Sequence, residues 1–184
     1  MLVDQDTVVK LERADRAGRR IFVAGCTERM APIFTGVRGM HHERALDVER
    51  YVGALDALWD AAEPEAFKGH FEEIERFEEF EDPEDDDVSD IGDVYAFYAA
   101  LTLRYALSCV TSSDLESAVK CGHVALTAMG QFDQAAPSAS FMQDERRYQA
   151  RTDYDVGSAS SLEKFRQECR ESARARFETL RRRI

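Results

Sequence analysis

The stretch from residue 90 to residue 110 constrains this chain most. Val94, Tyr95, Phe97, Tyr98, Leu101, Leu103, Tyr105, Leu107, Cys109 and Val110 would leave almost no polar face on a helix. A helix that is apolar all round is stable only inside a protein core or a membrane. The apolar run from Val94 to Val110 is interrupted by Arg104 and falls short of the roughly 20 residues that a bilayer span requires. The expectation is therefore a buried central helix, with the rest of the chain wrapped around it.

Helical periodicity dominates the remainder, and no run of period-two alternation suggests a strand. A first short helix is expected over residues 4–16, with Val8, Leu11 and Ala14 inward. Gly18 should interrupt before a second helix over 19–34, carrying Phe22, Cys26, Met30 and Ile33 on one face. Pro32 should end or kink that helix, because proline cannot donate to the ladder. A third helix is expected over 42–62, with Leu46, Tyr51, Leu55, Leu58 and Trp59 apolar. A fourth starts at Pro64, and Phe67, Phe71, Ile74, Phe77 and Phe80 form its inward stripe opposite a face rich in glutamate.

Two capping-box patterns, Ser113-x-x-Glu116 and Ser160-x-x-Glu163, should open the sixth and last helices. Between them a short helix is expected over 141–151, followed by a loop through Asp153 and Gly157. The fold class is all-α: a compact bundle of seven or eight helices around the apolar helix at about 90–110, in one domain spanning 1–184. A chain of 184 residues can bury roughly 70% of its unfolded surface and needs no staple. Cys26, Cys109, Cys121 and Cys169 form no CxxC pair; they read as buried thiols of a cytoplasmic protein. The N-terminus carries no secretion-signal pattern.

Charge is unevenly spread. Residues 63–93 hold fifteen acidic side chains and two basic ones, within a chain of net charge −12, whereas 164–184 hold eight basic and three acidic. The acidic excess argues against nucleic-acid binding, which needs basic surface against phosphate. It favours a basic protein partner, steered to Glu72, Glu75, Glu79, Asp85, Asp86, Asp87 and Asp90. Phe80 or Val88 would supply an apolar anchor at that edge. The simpler account is a solvated face that aids solubility.

No catalytic or metal constellation is visible. The chain lacks Glu-x-x-His, a Walker loop, Gly-x-Gly-x-x-Gly and Gly-x-Ser-x-Gly. The acidic loop has Asp87 and Asp93 where a calcium loop starting at Asp82 needs glycine and glutamate. No metal or cofactor is expected. Glu28 and Arg29 fall inside an apolar helix and Arg104 inside the central one, and interior charges must find partners. They form either a structural ion pair, Glu28 with Arg104, or the floor of a polar pocket with Arg29 and His123, which an enzyme or small-molecule binder would use.

The segment Cys26-x-Glu28-Arg29-Met30-x-Pro32 resembles the helix motif of the bacterial domain of unknown function 416 family. Ala54-Leu55-Asp56-Ala57-Leu58-Trp59, the acidic proline-containing stretch before the apolar helix, and Met142-x-x-Glu145-x-x-x-Gln149 are similar too. The resemblance covers roughly residues 10–180 and is weakest over 153–161. It implies an all-helical fold and carries no assigned activity. Cys26-x-Glu28-Arg29-x-x-Pro32 also looks like part of the helical immunity proteins of bacterial toxin systems. That likeness implies a protein that neutralises a basic toxin by covering it. An intracellular binding module is the leading expectation, and a ligand-binding or enzymatic bundle the alternative.

Overall fold

The computed structural model describes residues 2–60, 64–81, 90–136, 138–151 and 159–181. Among them lie eight α-helices: α1 (Gln5–Arg13), α2 (Arg16–Arg38), α3 (Ala45–Asp60), α4 (Pro64–Ile74), α5 (Ile91–Ser112), α6 (Leu115–Ala135), α7 (Phe141–Arg151) and α8 (Ala159–Leu180). Two 3-10 turns, His42–Arg44 and Glu78–Phe80, precede α3 and follow α4.

Helix α5 packs against α2, α3, α4 and α6, as an all-apolar helix must. Its 22 residues are long and apolar enough to cross a membrane on composition alone. Packing, rather than shortness of the run, is what places it inside. The centre is shared with α2, which touches α3, α5, α6 and α8 and buries every residue from Ile21 to Ala31. Phe34 of α2 stacks on Tyr51 of α3 with ring centroids 4.5 Å apart and on Phe77 at 5.4 Å. Burying each such ring contributes roughly 1.5–3 kcal/mol.

The start of α2 holds three other helices by their C-terminal carbonyls. Arg16 donates to Val110 of α5, Arg19 to Leu11 and Glu12 of α1, and Arg20 to Leu58 and Trp59 of α3. Orphan carbonyls at a helix end need donors, and a cation there also meets the negative end of the dipole. Charge at one helix start thus sets the relative positions of four helices.

Several local expectations are corrected. Gly18 does not interrupt α2; the helix starts at Arg16, with the Asp15 side chain accepting from the Gly18 N–H at 2.7 Å. Pro32 does not end it, because Ile33, Phe34 and Val37 beyond it are buried, and that burial offsets the roughly 3 kcal/mol that an interior proline costs. Leu46 faces solvent at 53% exposure; residues 42–44 wind as a 3-10 turn, which rotates it off the core face. The fourth helix stops at Ile74, and a turn lets Phe77 reach the core again.

Neither capping box is used as read. Asp114, not Ser113, caps α6 by accepting from the Ser117 N–H at 2.6 Å. Ser113 closes α5 in the left-handed region at φ 58°. Helix α8 already includes Ala159 and Ser160, so Ser160 is not its cap. Helix α7 is capped from a distance: the Asp133 carboxylate accepts from the N–H groups of Phe141 and Met142. The loop expected over 81–87 is described only at Glu81, which is exposed, and the one expected through Asp153 and Gly157 lies outside the described residues.

Candidate functional site

Glu28 and Arg29 are adjacent on α2 and nearly inaccessible, at 6% and 2% exposure. Being consecutive on a helix, they diverge by about 100° and enter two different polar clusters.

Arg29 meets Glu145 of α7 through two parallel bonds, Nε to Oε2 at 2.8 Å and Nη2 to Oε1 at 2.6 Å. Arg176 of α8 adds Nη1 to Oε2 at 2.7 Å, and Gln149 donates to Oε1 at 3.1 Å. Arg29 also donates to the thiols of Cys169 at 3.2 Å and Cys26 at 3.6 Å. Both guanidiniums lie over the Tyr148 ring, 5.0 and 5.8 Å from its centroid. Burial pushes the Glu145 carboxyl up, but Arg29 and Arg176 overcome it and hold the group down to about 2. The carboxylate in turn keeps Arg29 firmly protonated against the opposing effect of burial. Charge-assisted, bidentate contacts of this kind are among the strongest polar contacts a core can hold.

Glu28 turns toward α3 and α8. It accepts from the Trp59 indole at 2.7 Å and from Arg170 at 3.1 Å, and lies 3.5 Å from Arg166. Arg166 also pairs with Asp56. The ring of Phe165 packs edge-on to Trp59 and lies against Gly25, where an added Cβ would come within 3.1 Å of it. Gly36, farther along α2, has no room for a Cβ beside the Phe177 ring. Helix α8, poor in apolar residues, is thus seated on α2 by two phenylalanines over glycines and by arginines on buried carboxylates.

Arg104 does not pair with Glu28. It bonds Glu75 through both Nε and Nη2 and lies over the Phe80 ring at 5.0 Å. The reason is exposure: Arg104 is on the half-buried side of α5, facing the acidic α4. His123 is elsewhere again, its Nδ1 accepting from the Leu2 N–H at 3.1 Å. The structure therefore joins Glu28 and Arg29 to α7 and α8, and does not bring Arg104 or His123 to them. Among the described residues, no three His, Cys, Asp or Glu side chains gather as metal ligands. All four cysteines are buried free thiols, and burial pushes Cys109 up to about 12 and Cys169 up to about 11.

The acidic surface is only partly free. Glu72 and Asp90 are exposed, Glu75 is engaged by Arg104, and Asp85, Asp86, Asp87 and Val88 lie outside the described residues. Phe80, the other proposed anchor, lies under Arg104 and edge-on to Phe97, so it is packed rather than presented. Glu79 is not available to a partner: its side chain is 1% exposed and bonds Arg38 and Arg44, each at 2.6 Å. Arg38 continues to Asp93 at 2.6 Å and Arg44 to Glu78 at 2.9 Å. Glu79 thereby fixes the ends of α2, α3 and α5 at one pole of the molecule.

Sequence reasoning missed Glu145 as the partner of Arg29, Gln149 and Arg176 as further donors to that carboxylate, and Trp59 as a partner of Glu28. The signal was present: Trp59, Glu145 and Gln149 belong to segments that carried the family resemblance. The fold brings three of those segments into contact around α2. A family model described as "Protein of unknown function (DUF416)" matches residues 6–184. No curated protein and no solved structure matches the chain.

Proposed function

The chain belongs to the DUF416 family, and from that premise we propose that it is a cytoplasmic protein-binding module of a bacterial cell, acting by occlusion in the manner of an immunity protein. Its partner is a basic protein, and the docking surface is the pole organised by Glu79. One observation carries the reading. Among the described residues, the three most exposed large apolar side chains, Met40 at 70%, Leu46 at 53% and Ile91 at 45%, each lie two residues along the chain from a member of the Glu79 network: Arg38, Arg44 and Asp93.

The exposed acids Glu43, Glu78, Glu81 and Asp90 lie in the network or within three residues of its members along the chain, and Glu72 is exposed on α4. Asp85, Asp86 and Asp87 extend the same acidic run along the sequence. Apolar anchors within a charged rim are the usual anatomy of a protein interface. The buried ion pairs beneath keep the pole rigid, which reduces the ordering cost of binding. Glu28 and Arg29, by contrast, are closed and paired, and they support a structural role rather than a ligand pocket.

The test is capture of a basic partner from lysate of the source organism at low and high salt, repeated with two triple variants. Glu72→Lys/Glu78→Lys/Asp90→Lys should slow association roughly tenfold or more and weaken its salt dependence. Glu163→Lys/Glu168→Lys/Glu171→Lys, on α8, should leave it unchanged. Equal loss from both variants, or from neither, overturns the assignment of the surface.

A further inference from the structure

Helix α5 keeps one face in reach of water, and that face is apolar. On its α4 side, Phe97 meets Phe80 and Arg104 meets Glu75. On its α6 side, the Tyr98 hydroxyl accepts from Gln131 at 2.9 Å and Lys120 lies over the Tyr105 ring. Between these flanks Ile91 and Ser112 are exposed, and Val94, Tyr98, Leu101, Tyr105 and Ser108 are half-buried. Their spacing alternates three and four, the a and d positions of a heptad, and no charge stands among them. A surface helix normally turns polar residues outward. Residues 82–89 hold five acids and one large apolar side chain, Val88, so their chemistry does not match the stripe.

A 3.5-residue repeat calls for a helix as its cover, and α5 of a second copy matches it. In an antiparallel pair, a positions meet d positions. With the two-fold axis between Ala99 and Ala100, Tyr98 faces Leu101 of the second copy, Val94 faces Tyr105 and Ile91 faces Ser108. Each larger side chain thus meets a smaller one, as interdigitated packing requires. Phe97 and Arg104 share one flank, so the guanidinium of one copy faces an aromatic ring of the other rather than a like charge. The stripe over 91–108 is about 26 Å long, and with α4 and α6 about 9 Å to either side the face measures roughly 700 Å² per copy, close to the ~800 Å² per partner of a standard interface.

We infer that α5 is a self-association face, through which two copies of the chain pair as antiparallel helices. Each copy carries a net charge of −12, so the pair tightens as salt rises, opposite in sign to the capture of a basic partner. The inference does not rest on the docking pole; the two surfaces share Ile91, which the variants below leave untouched.

Sedimentation velocity of the unaltered protein, over a hundredfold range of concentration at low and high salt, should show a monomer–dimer equilibrium shifted toward dimer by salt. Leu101→Lys should weaken it roughly a hundredfold, because a charge from each copy enters the seam. Val52→Lys, at an exposed apolar position on α3, should leave it unchanged. The double variant Val94→Cys/Tyr105→Cys, oxidised with a small disulfide, should form a covalent dimer, and neither single variant should, since like positions stand about 16 Å apart in this register. A monomer at every concentration and salt, equal loss from Leu101→Lys and Val52→Lys, or cross-linking of the single variants overturns the inference.

Discussion

Arg29 and Glu145 stand 116 residues apart in the chain and are joined by two hydrogen bonds of 2.8 and 2.6 Å, both side chains withdrawn from water. The contact fastens α7 to α2, and through Arg176 it fastens α8 as well. A buried ion pair adds little against a well-packed apolar substitute. It does make its geometry compulsory, because breaking it strands a charge in the interior.

Glu145→Ala should therefore destabilise the protein by about 3–5 kcal/mol, since it leaves two guanidiniums without their carboxylate. Glu75→Ala, which removes a half-exposed partner of Arg104, should cost less than about 1 kcal/mol. Urea unfolding of the two variants beside the unaltered protein measures both. Similar losses would show that the Arg29 cluster is not held as described.

The same carboxylate sets a response to acid. Its pKa in the fold, about 2, lies below the ordinary 4.5, so the folded state holds the proton less readily than the unfolded chain. The contribution is complete above the unfolded value and is lost as pH falls from about 5 toward 2. Stability measured by urea across that window should decline, and Glu145→Gln, already destabilised, should decline less steeply.

Ser113 is the one described non-glycine residue with positive φ, at 58°. A left-handed L-residue costs roughly 1–2 kcal/mol, and glycine avoids that at some loss of chain entropy. Ser113→Gly should stabilise the protein by up to about 1 kcal/mol, and Ser113→Val should destabilise it. Melting temperatures of the pair, moving in opposite directions, check the strain.

Two glycines separate packing from propensity. At Gly36 an added Cβ collides with the Phe177 ring, whereas at Gly69 it meets nothing within 4 Å. Gly36→Ala should cost about 1–3 kcal/mol and speed amide exchange in α8 selectively. Gly69→Ala, in the exposed part of α4, should add about 0.5–1 kcal/mol through helix propensity.

The sequence by itself determined the helical class, the central place of α5 and most element positions. Those follow from local periodicity, which each segment carries without reference to the others. Residues 141–151 read as a helix and are one; the buried thiols and Phe67, Ile74 and Phe77 likewise face inward as their spacing requires. Only the tertiary structure decided which charge meets which. Glu28 and Arg29 demanded partners, yet the demand is equally satisfied by any opposite charge, and Arg104, the cation expected inside the central helix, pairs with Glu75 instead. The partners came from α7 and α8, more than a hundred residues away. The same holds for Glu79, which reads as one more acid on a solvated face but is drawn inside by Arg38 and Arg44. Hydrophobic burial is written in the period of the chain; ion pairing depends on where the finished fold sets helices side by side.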